Sequence, residues 1–143
     1  MINYIILYIY LLISIMNIDN FLPYEETLRF IEKTGFNLQS PYVFIKIVND
    51  NGEDEIILTL ANNIQSVNGE VLSPAYIYED FIDFIKEKYN YDLYVVSTHE
   101  GYEWTIFKSE FGVTHKYTTN IKYTTRGAAL NMMMQFFMDK QLY

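Results

Sequence analysis

The chain contains no cysteine and only two histidines in 143 residues. The lack of cysteine excludes a disulfide framework, a thiolate metal site and a thiol nucleophile, and it is typical of proteins in a reducing cytoplasm. His99 and His115 fall in a predicted turn and a predicted strand, where the neighbouring sequence offers no further metal ligands. We therefore expect both to be surface or hydrogen-bonded side chains.

The sequence also lacks a recognisable catalytic or calcium-binding motif. No nucleophile stands beside a base, and no convergent acids or metal ligands occur at helix or hairpin spacing. Glu53, Asp54 and Glu55 follow Gly52, but they lack the alternating oxygen ligands and the distal glutamate of a calcium loop. The sequence therefore predicts a non-enzymatic protein with no cofactor and no metal site.

Charge is absent from residues 1–18, which are mostly apolar. No lysine or arginine precedes this run and no small-residue cleavage site follows it, so a secretory signal is disfavoured. As a helix the run would span roughly 27 Å, close to the thickness of a hydrocarbon core. Three interpretations stay open: a membrane anchor, a buried element of the domain, or an upstream stretch before a true start at Met16.

The composition of the chain is that of a folded protein. Half of its residues are apolar and 17% are aromatic, far from the low hydrophobicity and high charge of disordered chains. The length fits one domain, which we place at residues 19–143.

The first helix is predicted over residues 23–34. A proline opens it, two glutamates fall in its positively polarised first turn, and Gly35 supplies the stop. Tyr24, Leu28 and Ile31 share one face, so we expect that face to pack on the rest of the domain.

Strand composition, turn residues and helical spacing indicate the other elements. Residues 42–48 and 55–60 predict a hairpin around an Asn-Asp-Asn-Gly turn. Residues 61–72 are polar and predict a loop or a small extra hairpin, after which Ser73 and Pro74 open a helix that runs to residue 89. Three strands and a last helix follow, over residues 93–98, 102–107, 113–123 and 126–140. The order predicts an α+β domain in which three helices cover one face of an antiparallel sheet of about five strands.

Acidic and basic side chains are distributed unevenly along the chain. The first 103 residues hold sixteen acidic side chains against five basic ones, and residues 104–143 hold five basic against two acidic, within a net charge of −8. The predicted second helix carries an acidic row, formed by Glu79, Asp80, Asp83 and Glu87. Such a row is either a solvated face or a docking surface for a basic partner, because charge of one sign attracts the other.

The basic segment is rich in aromatic rings. Its candidate binding residues are Trp104, Lys108, His115, Lys116, Tyr117, Lys122 and Arg126. Single-stranded RNA or DNA binds such surfaces by stacking bases on rings while cations hold phosphates. A small sheet also needs such rings for its core, so both interpretations stay open. In the last helix, Met132, Met133 and Met134 cannot all face inward, so at least one should be exposed.

One segment resembles a known group of proteins. Trp104-Thr105-Ile106, followed by Tyr123-Thr124-Thr125-Arg126-Gly127-Ala128-Ala129-Leu130, resembles the C-terminal part of small uncharacterised proteins encoded by bacteriophages and prophages. In those proteins a Trp-bearing strand leads to a Tyr-x-Thr-x-Glu-Glu-Ala-Leu helix start. Here Gly127 and Ala128 replace the two acids, so the capping-box glutamate is missing although Thr125 can still cap the helix.

The resemblance implies a phage context and a host bacterial cytoplasm. Our leading hypothesis is a non-enzymatic phage accessory protein that binds and inhibits a host protein or ribonucleoprotein, such as a CRISPR-type or other defence nuclease. One alternative is RNA or single-stranded DNA binding through residues 104–126. Another is a small membrane-tethered protein anchored by residues 1–18.

Overall fold

A computed structural model describes residues 18–62 and 69–143. They form three α-helices and six strands: α1 (Tyr24–Thr34), β1 (Tyr42–Val48), β2 (Asp54–Leu60), β3 (Glu70–Ala75), α2 (Tyr78–Tyr89), β4 (Asp92–Thr98), β5 (Gly101–Glu110), β6 (Val113–Thr118) and α3 (Arg126–Asp139). The predicted α+β class is confirmed. The three interpretations of the apolar N-terminal run lie outside the described residues, except that Ile18 opens a 3₁₀ turn, Ile18–Asn20. No helix within the described ranges is long and apolar enough to cross a membrane.

The strands form two antiparallel sheets of three strands rather than one sheet of about five. The first sheet has the order β2-β1-β3 and the second has the order β4-β5-β6. The predicted β1–β2 hairpin is present, and Gly52 takes the left-handed conformation in its turn with φ 78°. The side chain of Asn49 accepts hydrogen bonds from the backbone N–H groups of Asn51 and Glu53, which fixes this turn.

Ser73 and Pro74 lie in β3 and do not open a helix, which corrects the prediction. Proline is tolerated there because β3 is an edge strand. A backbone N–H on the open side of an edge strand has no neighbouring strand to bond to, so its absence costs no sheet hydrogen bond. The helix begins four residues after Pro74, at Tyr78, with Ile77 as its N-cap. The β6 strand also ends earlier than predicted, at Thr118.

The connection from β2 to β3 crosses β1, because β1 lies between these two strands. Gly69, at the end of the connection, passes close to β1: a Cβ there would lie 3.1 Å from Ile45 Cδ1 and 3.1 Å from Ile47 Cγ2. A side chain at this position would therefore press on the two isoleucines and on the backbone oxygen of Lys46, which is also 3.1 Å away.

The larger core lies between the helices and the second sheet. Phe30 on α1 is fully buried, and its ring meets Phe81 of α2 edge to face at 4.8 Å. The fully inward residues of α1 are Thr27, Phe30 and Thr34. Of the expected face, Tyr24 and Ile31 are partly buried and pack against the core, whereas Leu28 is 40% exposed. The two buried threonines donate to backbone carbonyls of their own segment, which removes the cost of burying their hydroxyls.

Helix α3 packs on the second sheet and begins beside the 3₁₀ turn. Thr125 caps it as predicted, accepting a hydrogen bond of 3.1 Å from the N–H of Ala128. Among the consecutive methionines, Met132 is exposed, whereas Met133 and Met134 are buried, which confirms the expectation from helical spacing. Ring contacts also join the second sheet to this helix, as described below.

Candidate functional site

The four acidic residues predicted to form a row on α2 do not all lie on the same side of the helix. Asp80, Asp83 and Glu87 share one helix face, because residues three and four apart lie on the same side of a helix. Glu79 points elsewhere and forms an ion pair of 3.5 Å with Arg126 at the start of α3. Three of the four predicted acidic residues therefore form one surface, and the fourth pairs with a residue at the start of α3.

The three carboxylates line a groove with a volume of about 320 Å³ between α2 and the loop that follows α1. We call it the acidic groove; its lining residues are Phe36, Asn37, Leu38, Asp80, Asp83, Phe84 and Glu87. The rings of Phe36 and Phe84 meet edge to face at 4.8 Å and form its inner wall. Leu38, which is 49% exposed, lies at its edge. The groove thus combines an aromatic wall with an acidic rim.

The loop that carries Phe36 is held by local hydrogen bonds. Gly35 ends α1 in the left-handed conformation, with φ 72°, and turns the chain toward α2. The Phe36 N–H donates to the Thr34 hydroxyl at 3.2 Å. The Tyr76 hydroxyl donates to the Leu38 carbonyl at 2.5 Å. One wall of the acidic groove is therefore fixed before any partner binds, which lowers the entropy cost of binding.

Lys88 provides a cationic contact at the back of this region. Its ammonium group donates to the Thr34 carbonyl at 2.8 Å and lies 5.4 Å from the centre of the Phe84 ring. A cation near a ring face is attracted by the electron density of the ring. The Phe84 ring thus already attracts a cation within this chain.

Asp80 is the acidic residue most affected by its surroundings. Partial burial raises the pKa of its carboxyl, and the negative charges of Asp83 and Glu79 raise it further. A hydrogen bond from the backbone of Ile77 opposes this shift. Because like charges and burial both disfavour the carboxylate, a cation placed in the acidic groove would stabilise its ionised form.

The two rings expected to stack on nucleic acid are instead turned toward the core. Trp104 is 5% exposed and its ring lies 4.9 Å from that of Phe136 on α3. Tyr117 contacts the same Phe136 ring at 5.3 Å. The Trp104 indole N–H has no hydrogen-bond partner within the described residues. These rings form part of the interface between the second sheet and α3.

Most of the predicted cations are paired with acids of the same chain. Lys108 contacts Glu110 at 3.3 Å and lies 4.8 Å from the centre of the Tyr91 ring. Lys122 pairs with Glu103, and Arg126 with Glu79. His115 and Lys116 are exposed, but as neighbours on β6 they point to opposite faces of the sheet. The seven candidate residues therefore do not form one continuous surface.

A second groove, which sequence reasoning missed, lies beside the 3₁₀ turn and has a volume of about 520 Å³. Its lining combines apolar and aromatic side chains with polar ones: Ile18, Phe21, Tyr24, Phe44, Ile56 and Ala128 on the one hand and Asp19, Thr125 and Asn131 on the other. They come from the 3₁₀ turn and the segment after it, α1, the first sheet and α3 with its N-cap. No short-range pattern could have joined them, because only the tertiary fold brings these segments together.

Phe36, in the acidic groove, was also missed from the sequence, although it had a local signal: an apolar residue after a helix-ending glycine commonly packs back on that helix.

The described residues contain no group of three or more histidine, aspartate or glutamate side chains that could hold a metal ion. Comparisons of the chain with protein-family models, with curated proteins and with solved structures found no match.

Proposed function

We propose that this protein is a non-enzymatic binding protein that docks a basic surface of another protein or ribonucleoprotein in its acidic groove. The observation that carries the proposal is the placement of Asp80, Asp83 and Glu87 along a groove walled by two phenylalanine rings. In keeping with the resemblance to phage proteins, we further propose that the partner belongs to the bacterial host. A defence nuclease is one such partner, since its nucleic-acid site presents lysine and arginine side chains.

The groove suits an arginine or lysine side chain for two reasons. Carboxylates accept charge-assisted hydrogen bonds from guanidinium and ammonium groups, and these are stronger than neutral hydrogen bonds. The half-buried ring of Phe84 and the exposed side chain of Leu38 offer apolar surface to the aliphatic stem of such a side chain.

Inhibition would follow from occupation of the partner's basic surface. A row of carboxylates competes with phosphate groups for the same lysine and arginine side chains, so a nucleic acid and this protein would exclude one another. No chemical step by the inhibitor is required. Binding should weaken as salt rises, because the Debye length falls from about 10 Å at 0.1 M to about 3 Å at 1 M.

Charge reversal in the groove tests this proposal. The tagged parent should capture a stoichiometric partner from bacterial host lysate, and the double variant Asp83→Lys, Glu87→Lys should lose it. Glu87→Lys and Glu32→Lys are the matched single reversals, since Glu32 is an exposed glutamate at the same distance from the end of α1 as Glu87 is from the end of α2. With the purified partner, we expect the double variant to bind roughly tenfold or more weakly.

Two results would speak against the proposal. One is that no partner is recovered at stoichiometric amounts by the parent. The other is that the double variant and Glu32→Lys bind the recovered partner equally well, which would place the contact outside the acidic groove.

The alternative of RNA or single-stranded DNA binding through residues 104–126 stays a prediction. The one arrangement that still favours it is a ring beside a cation on the outer face of the second sheet, where Phe107 of β5 lies opposite Lys116 of β6. A protein with a net charge of −8 repels phosphate at long range, so we favour the protein partner.

A further inference from the structure

The end of the β5–β6 hairpin is exposed along both of its strands. Residues 109–116 are all exposed, although the strands stay paired up to Glu110 and Val113. Phe111 in the turn is 97% exposed and has φ 51°, a conformation that bulky residues rarely adopt and that asparagine or glycine usually supplies in a two-residue turn. An exposed aromatic residue in a strained conformation is evidence for a contact outside the chain's own fold.

The outer edge of this hairpin carries unpaired backbone groups. β6 is an edge strand, and β5 is its one neighbour among the described strands. The Thr119 N–H donates to the Trp104 carbonyl at 3.3 Å, and successive residues of an antiparallel strand direct their N–H and C=O groups to alternate sides. Thr114, Lys116 and Thr118 therefore direct theirs away from β5, where another strand could pair with them.

The other edge strands have more protection against such pairing than β6 has. β3 contains Pro74 and a register shift against β1, and β2 begins with Asp54 and Glu55. Proline, bulges and charges are the usual protection of an exposed edge. β4 is more buried, with three of its seven residues exposed against five of six in β6. The sequence of β6, Val-Thr-His-Lys-Tyr-Thr, is rich in residues that favour strands and holds one lysine and no acid.

We propose that two copies of the chain pair through β6 and form a two-fold symmetric dimer, in which the second sheets of both copies become one continuous antiparallel sheet. Symmetry restricts the register, because residues opposite each other must point to the same face. A pairing centred on His115 sets Thr114 opposite Lys116 of the partner subunit, so their outward N–H and C=O groups exchange hydrogen bonds. Centring on Lys116 would set two lysines opposite each other, which is unfavourable. Centring on Thr114 would draw the turn residue Gly112 into the pairing.

The register centred on His115 also accounts for exposed apolar side chains. Val113, which is 55% exposed, lies opposite Tyr117 of the partner subunit, and a β-branched residue beside an aromatic one is a favourable cross-strand pair. Phe111 lies toward the end of the partner's β6, which Ile121, 61% exposed, follows in the chain. Every contact joins residues of the same segment, which favours a second copy over an unrelated strand. Interfaces below about 1,200 Å² are typical of weak complexes, so we expect a reversible dimer.

Charge exchange at the centre of the interface tests the proposal. Sedimentation velocity of the purified full chain should show a dimer whose proportion rises with concentration. At physiological ionic strength the Debye length is about 8 Å, which screens the repulsion between two copies of net charge −8 but not between groups opposite each other. His115→Glu and His115→Lys should each associate roughly tenfold or more weakly, because each sets two like charges together. An equal mixture of the two should form a heterodimer.

Val96→Glu and Val96→Lys are the matched controls for these substitutions. Val96 is 45% exposed on β4, the opposite edge strand of the same sheet, so neither variant should change the association of the parent. Hydrogen exchange followed by NMR gives a second measurement that needs no variant. The amide hydrogens of Thr114 and Lys116 should exchange more slowly as the concentration of the parent rises, because they are bonded only in the dimer.

Three results would overturn the proposal. One is a parent chain that stays monomeric up to millimolar concentration. Another is an association that His115→Glu and His115→Lys leave unchanged, which would place the contact outside β6. The third is a mixture of these two variants that associates no more strongly than either variant alone.

Discussion

Gly127→Ala should destabilise the protein, although alanine is the better helix former. Gly127 lies in the first turn of α3, where the 3₁₀ turn crosses it. A Cβ at this position would lie 2.6 Å from the backbone oxygen of Asp19 and 3.0 Å from its Cβ. Because the nearest atom belongs to the backbone, it cannot rotate away, and either the 3₁₀ turn or the start of α3 must move.

The magnitude follows from two opposing effects. Glycine in a helix costs about 1 kcal/mol relative to alanine, so the substitution alone would stabilise α3 by up to that amount. Overpacking at a close contact costs typically about 1–3 kcal/mol. We expect a net loss of roughly 1 kcal/mol in the free energy of unfolding. If the 3₁₀ turn were not seated on α3, only the helix preference would remain and the sign would reverse.

Urea unfolding followed by tryptophan fluorescence measures this effect. Trp104 is the one tryptophan in the sequence and is buried against α3, so its emission reports the loss of this packing. Ala128→Gly is a suitable control, because Ala128 is the next residue, exposed, and should lose only the helix preference of about 1 kcal/mol. A gain of about 1 kcal/mol for Gly127→Ala would refute the reasoning.

Two further predictions concern the acidic groove and the core. Because the folded state raises the pKa of Asp80 above its ordinary 3.8, the stability that this group contributes is present below that value and lost as pH rises through the raised pKa. We therefore expect the free energy of unfolding of Asp80→Asn, measured relative to the parent by urea unfolding, to be higher at pH 7 than at pH 3. The same difference between variant and parent at both pH values would contradict the assigned cause. Phe30→Ala should lose about 3–5 kcal/mol in the same assay, whereas Leu28→Ala, at an exposed position on the same helix, should lose less than about 1 kcal/mol; similar losses would contradict the inward face of α1.

Local signals allowed the end of α1, the start of α3 and the first hairpin to be predicted from the sequence. Gly35 ends α1 and Thr125 caps α3, and each effect depends on residues within one helical turn. The strand β3 was missed because Ser73 and Pro74 are typical of a helix start, whereas their strand conformation is imposed by pairing with β1. Pairing partners far apart in sequence override local preference.

The candidate site was predictable to a similar degree. The spacing of Asp80, Asp83 and Glu87 placed them on one surface without any structure, since helical periodicity is enough for that. The opposite wall, Phe36 and Leu38, comes from another part of the chain and could be assigned only once α1 and α2 were packed. The basic segment was overestimated because the sequence does not reveal which rings are buried.

The crossing of β1 by the connection between β2 and β3 bears on how the molecule folds. In the second sheet every strand pairs with its neighbour in sequence, so these contacts close short loops. In the first sheet, β3 can pair only after the chain has passed over β1, which closes a longer loop at a greater cost in entropy. We therefore expect residues 92–143 to assemble early and the pairing of β3 with β1 to be the slower step. Until that step, one edge of β1 stays open to pairing with another chain, and Pro74 then protects the new edge.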